Sequence, residues 1–122
     1  MKTNLENLDK TPYAIQYKKK NVFIPAIIFK HEKNIFVALF RYKSNKGNCT
    51  KIFTEAKLTQ LWIEKKIKYF TPLDEFLTEE EKYNLNRLVE KLKNTTKRKK
   101  AEKEIRQTLI KIGKRLGLQG IY

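Results

Sequence analysis

The sequence predicts an α+β protein: a small antiparallel sheet of three to four strands over residues 13–54, then two to three helices over 55–67, 78–93 and 97–112. Three observations lead there. Two dense apolar runs, Val22–Lys30 and Ile35–Lys43, flank the polar loop His31-Glu32-Lys33-Asn34, the pattern of an antiparallel hairpin. From Thr54 onward the apolar period lengthens from two toward 3.6 residues. Finally, Thr78-Glu79-Glu80-Glu81 has the spacing of a capping box: the threonine oxygen serves an orphan amide and Glu81 reaches back to the cap.

Residues 1–11 are polar apart from Leu5 and Leu8 and read as a flexible arm, and Tyr13–Tyr17 fits a short strand. Lys18-Lys19-Lys20-Asn21 is a basic turn into the hairpin. Pro25 lacks an N–H, so the first hairpin strand should be an edge strand or carry a bulge. Alternation sorts the side chains. One face collects Val22, Ile24, Ala26, Ile28, Ile35, Val37 and Leu39; the other collects Phe23, Ile27, Phe29, Phe36, Ala38, Phe40 and Tyr42. Both faces are apolar, so either helices cover both or one meets a partner. Ser44–Asn48 is a turn, and Cys49–Phe53 a short further strand.

Thr54 caps a helix with Leu58, Leu61 and Trp62 on one side, although Glu64–Phe70 also suits a strand. After the helix at Thr78, Ile105, Leu109, Ile112 and Leu116 mark a last one, ended by Gly113, Gly117 and Gly120. Asn94-Thr95-Thr96 either breaks this helix from its predecessor or is crossed by one continuous helix.

At 122 residues the chain is expected to be a single domain with one modest core. Its 28 Lys plus Arg against 13 Asp plus Glu leave +15, beyond the ~2–8 that serves solubility in a small domain. Self-repulsion on that scale is relieved by an anionic partner. Lysine outnumbers arginine 23 to 5, and Asn, Ile, Tyr and Phe abound, as in AT-rich genomes such as those of many phages and plasmids. Codon bias of that kind would supply acidic residues too, and these do not keep pace. No apolar stretch approaches a membrane span, residues 1–20 hold no signal-peptide core, and Cys49 is the lone cysteine. A cytoplasmic protein without membrane contact is expected.

The densest charge lies in a basic helical segment, residues 93–115. Lys93, Lys97, Arg98, Lys99, Lys100, Lys103, Arg106, Lys111, Lys114 and Arg115 face only Glu102 and Glu104, a surplus of eight. A helix starting at Thr96 would put four cations at its positive end, costing about 0.3–1 kcal/mol each. Either the helix runs through from Thr78, aligning Lys93, Lys97, Lys100 and Lys103, or an anion compensates. A second basic group comprises Lys18, Lys19, Lys20, Lys30, Lys33, Arg41, Lys43, Lys46 and Lys51, with Arg41, Lys43 and Lys46 forming a basic wing at the 44–48 turn.

Chemical signatures are sparse. Asp74, Glu75, Glu79, Glu80 and Glu81 form an acidic cluster that a metal-dependent nuclease would need converged, but first-turn carboxylates fan around a helix axis and suit its dipole. A Cys49–His31 dyad requires hydrogen-bond reach, whereas nine intervening strand residues separate the two by about 30 Å. Too few His, Cys and Ser remain for a zinc site or serine triad, and no glycine-rich phosphate loop is present. Base stacking on Phe36, Phe40 and Tyr42 would need those rings exposed.

The expectation is therefore a non-enzymatic nucleic-acid-binding protein without cofactor or metal. It would hold DNA or RNA by its phosphates through the 93–115 segment, aided by Arg41, Lys43 and Lys46. The alternative is a protein-interaction module or inhibitor encoded by a mobile element and docking on an acidic protein. The doubly apolar hairpin gives that reading, or self-association through the hairpin, its support.

Overall fold

The computed structural model describes residues 11–40 and 49–118. The arm expected over residues 1–11 falls outside them except for Thr11, as do Tyr42 and the turn at 44–48. Four strands follow one another as a meander: β1 Tyr13–Lys19, β2 Val22–His31, β3 Asn34–Leu39 and β4 Cys49–Thr54. Helix α1, Glu55–Ile63, leads to β5, Ile67–Pro72; a 3₁₀ turn at Asp74–Phe76 precedes α2, Glu79–Lys91, and α3, Arg98–Arg115. The sheet order is β4-β3-β2-β1-β5 with every pairing antiparallel, so α1 carries the chain from one edge to the other. This is the α+β fold expected, with one more strand.

The faces sort as alternation requires. Ile27, Phe29, Phe36, Ala38 and Phe40 pack with Leu85, Leu88 and Leu92 of α2 and Ala101, Ile105, Leu109 and Ile112 of α3. Ala26, Ile28, Ile35, Val37 and Leu39 pack with Leu58 and Leu61 of α1 and Ile67 of β5. Helices thus cover both hairpin faces within the chain, and the argument for a partner on one of them does not apply. Phe36 and Phe40 are fully buried, which rules out a stacking platform built on those rings.

Two boundaries differ from expectation. The first helix ends at Ile63, short of residue 67, because Lys65 takes a left-handed conformation, φ 61°. Its N–H donates to the Trp62 carbonyl and that of Lys66 to Leu61, at 3.0 and 2.9 Å. This is a Schellman ending with lysine where glycine usually stands. The chain then reverses into β5, which pairs Ile67 with Tyr17. At the far end, α3 does not stop at residue 112: Gly113 lies inside it, and Gly117, φ 78°, closes it with the Leu118 and Gly117 amides bonded to Gly113 and Lys114.

Pro25 corrects another expectation. Strand β2 is interior, flanked by β1 and β3, and neither of its ladders is bulged at Pro25. The β2–β3 ladder begins at Ala26↔Leu39, and the Pro25 carbonyl accepts from Phe40 N–H at 2.9 Å. N and C=O of one residue point the same way in an antiparallel ladder, so the missing donor faces β3 where its ladder ends. Among the described residues, the only register shift lies between Ala14 and Gln16 on the β1–β5 pair, opposite Tyr69 at φ 61°. Among the described residues, no helix is long and apolar enough to cross a membrane.

Gly113 lies where α3 meets β3, and a methyl group there would overlap the buried Phe40 ring. Gly113→Ala should therefore destabilise the fold by about 1–3 kcal/mol, the range for overpacked cores. Thermal unfolding reads this directly, and an unchanged midpoint would mean that the ring has room to move.

Candidate nucleic-acid interface

The chain breaks between α2 and α3, so the continuous helix that would align Lys93, Lys97, Lys100 and Lys103 does not form. The cause is local: the Asn94 side-chain oxygen accepts from the Thr96 N–H and hydroxyl at 3.0 and 2.7 Å, offering the backbone a turn in place of a helix. Helix α3 then starts at Arg98 with no side-chain cap and no acidic residue in its first turn. Four cations, Lys97 to Lys100, thus stand at a positive helix end. Burial decides that the helix forms regardless. Ile105, Leu109 and Ile112 are fully buried at about 1.5–3 kcal/mol each, which exceeds a dipole penalty of about 0.3–1 kcal/mol per cation.

Within the segment the cations divide into two kinds. Arg98 donates to the Leu92 carbonyl at 3.2 Å, meeting an orphan acceptor at the end of α2, and pairs with Glu102 at 3.3 Å. Arg115 holds both Glu81 oxygens at 2.6 and 2.8 Å and donates to the Phe76 carbonyl at 2.5 Å. Lys93 pairs with Glu90 at 3.3 Å, and Arg106 Nε is buried. Arg98 and Arg115 thus serve the helical hairpin itself, whereas Lys93 makes an exposed local pair and Arg106 Nε has no hydrogen-bond partner among the described residues.

The remaining six, Lys97, Lys99, Lys100, Lys103, Lys111 and Lys114, are exposed, with no carboxylate among the described residues within 4 Å. At 100° per residue, Lys100, Lys103, Lys111 and Lys114 fall within about 80° of arc, opposite the buried stripe, with Gln107 between them. They span about 21 Å of helix axis. Arg41, Lys43 and Lys46 lie outside the described residues.

Within the acidic cluster, Glu81 has a structural role. Thr78 and Glu81 complete the capping box, with Thr78 N–H to Glu81 at 2.8 Å and Glu81 N–H to Thr78 at 3.1 Å. No three His, Cys, Asp or Glu side chains among the described residues group as a metal site would require. Residues His31 and Cys49 sit at opposite ends of β3, on rungs Asn34 and Leu39, about 17 Å apart along the ladder. That is nearer than the sequence suggested and still beyond hydrogen-bond reach. Lys30, grouped with surface cations by sequence, is buried and tied to Glu55 of α1 at 3.1 Å.

Sequence reading grouped Lys18, Lys19, Lys20 and Lys51 but missed that they meet Lys57 and Lys66 around one cleft. Lys18, Lys19, Lys20, Lys51, Lys57 and Lys66 line a cleft of about 400 Å³ beside α1. Pairing of Tyr17 with Ile67 brings the 18–20 turn to Lys66, and no local motif announces a contact nearly fifty residues long. No family model, curated protein or solved structure matches this chain.

The Arg115 hydrogen bonds hold the Glu81 carboxyl below its ordinary 4.5, assisted by the Thr78 amide and opposed by burial. A carboxylate with a depressed folded pKa adds stability above its unfolded value, which is lost as pH falls through the folded one. Glu81→Gln keeps a residue competent for the capping box and removes the charge. The stability gap to the unsubstituted protein should be complete above pH 4.5 and close at lower pH. Urea titrations across pH 2–7 measure it.

Proposed function

We propose that the protein is a non-enzymatic, cytoplasmic nucleic-acid-binding protein that grips phosphates with the outward face of α3. The observation that carries this reading is the row Lys100, Lys103, Lys111 and Lys114, exposed and without carboxylate partners among the described residues, flanked by Lys97 and Lys99. One nucleic-acid strand advances about 3.4 Å per phosphate along a duplex axis, so a row of about 21 Å matches roughly six phosphates. Ammonium groups on long flexible stems serve as point charges to phosphate and carry little base information. Gln107 is the one amide in the row and provides a single base-reading group at most.

Binding should therefore be strongly salt-dependent and nearly indifferent to sequence. Fluorescence anisotropy with duplex DNA, single-stranded DNA and RNA should show affinity falling about a thousandfold or more between 50 and 200 mM salt, if six contacts form. Replacing Lys100, Lys103, Lys111 and Lys114 with glutamine should flatten the log–log salt slope by about one unit per lost contact on every sequence alike. The fold should survive, because all four side chains lie outside the core. Absence of binding to every nucleic acid at 50 mM salt would overturn this reading and favour an acidic protein as the partner of the same face.

A further inference from the structure

The cleft beside α1 lies on the opposite side of the sheet from α3. Its floor includes Leu39 and Leu61, which belong to the core under α1, whereas α3 packs on the Phe36 and Phe40 face. A ligand in the cleft is thus separate from a strand held along α3.

Four elements build the cleft. The β1–β2 hairpin reverses through Lys20 and Asn21, at φ 50° and 68°, the two-residue geometry that keeps Lys18, Lys19 and Lys20 together at a tight tip. Lys18 N–H donates to the Lys66 carbonyl at 2.6 Å, pinning that tip to the start of β5. Lys51 comes from β4 and Lys57 from α1. Among the described lining residues, Glu64 is the one carboxylate, and Lys66 and Gln60 already engage it at 3.1 and 3.0 Å. Leaving out Lys19, which has an interaction of its own, five lysines against one glutamate leave a formal surplus of four positive charges around about 400 Å³. Lys18, Lys20, Lys51 and Lys57 have no carboxylate among the described residues within 4 Å.

A convex lysine surface relieves repulsion by splaying into water. Lysines converging on a concavity with low-dielectric walls instead focus their field inward and concentrate anions there. A single phosphate ester brings about two negative charges, well short of the surplus, whereas a chain of linked phosphates comes nearer to it. The volume falls in the ~300–1,000 Å³ range of small-molecule sites. Leu39 and Leu61 give an apolar floor, and Tyr17, stacked on Phe53 with centroids 6.2 Å apart, gives a fixed ring beside it.

We infer that this cleft binds an oligophosphate: the phosphate chain of a nucleoside di- or triphosphate, or the same group at the 5′ end of an RNA strand. The ammonium groups take the phosphate oxygens, and the floor beside Tyr17 receives the sugar or base.

Calorimetric titration of the full chain at about 150 mM salt, where exposed charges are well screened, tests it. The probes are ATP, tripolyphosphate, adenosine, and one oligoribonucleotide with either a 5′-triphosphate or a 5′-hydroxyl. ATP should bind with one-to-one stoichiometry, and adenosine should not bind. A 5′-triphosphate strand that outbinds its 5′-hydroxyl twin identifies a strand end as a source; ATP binding tighter than tripolyphosphate adds the nucleoside to the recognition. The K18Q/K20Q/K57Q variant alters three exposed side chains and should weaken ATP about tenfold or more, the loss of at least one charge-assisted hydrogen bond. Lys57→Gln alone, on the surface of α1, gives a smaller loss in the same direction. The glutamine variant of the α3 row should bind ATP as the unsubstituted protein does, which separates this site from the α3 interface. No saturable binding of ATP or tripolyphosphate up to about 1 mM, or equal weakening by the cleft and α3 variants, would overturn the proposal.

Discussion

Everything in this structure follows from a hairpin that has no wet face. Strands β2 and β3 present Ile28, Ile35 and Val37 on one side and Ile27, Phe29 and Phe36 on the other, all essentially out of contact with water. Such a ribbon is stable only as the middle of a layered arrangement, with helices on both faces. The chain meets this with two unlike covers. The short α1 crosses one side and delivers β5 to the far edge, while α2 and α3 form a helical hairpin on the other. Each helix has one stripe committed to the sheet, so the abundant lysines are left to the outward surfaces and rims.

That commitment sorts a uniformly basic sequence into groups with different work. Arg98 and Arg115 use their forked donors on backbone carbonyls and carboxylates, closing the α2–α3 hairpin at its two ends. Lys30 pairs with Glu55 beneath α1, where an unpaired ammonium would be strongly unfavourable. Among the described residues, unpaired lysines concentrate most densely on the outer face of α3 and around the cleft at the β1–β2 tip. These two concentrations lie on opposite sides of one sheet.

Much of the architecture is legible in the residues. Alternation placed the hairpin side chains on their correct faces, and the Thr78–Glu81 spacing located α2 because a capping box is a short-range pattern with a short-range cause. The failures share a different origin. Strand β5 was left open between helix and strand because Lys65 adopts a conformation usually signalled by glycine, and Gly113 looked like a stop when its role is to admit the Phe40 ring. Pro25 seemed to demand an edge, yet only the length of β3 determines whether its missing donor matters. The α3 tract was visible as a run of cations, but not which of them the fold consumes. The cleft was invisible for the plainest reason: Lys18, Lys51, Lys57 and Lys66 are neighbours only through sheet pairing and the path of α1.

The connection through α1 also orders assembly. Strands β1 to β4 are joined consecutively and pair with their sequence neighbours, so that meander closes through short loops and comparatively local contacts. Strand β5 must instead return to β1 across the whole intervening chain, a closure with a larger entropic toll and a slower search. Lys66 reaches Lys18 only when that return is complete. The cleft is accordingly complete only once β5 has docked on β1, and an anion bound there would act as a latch on the finished topology, favouring the closed chain over any form in which β5 is still free.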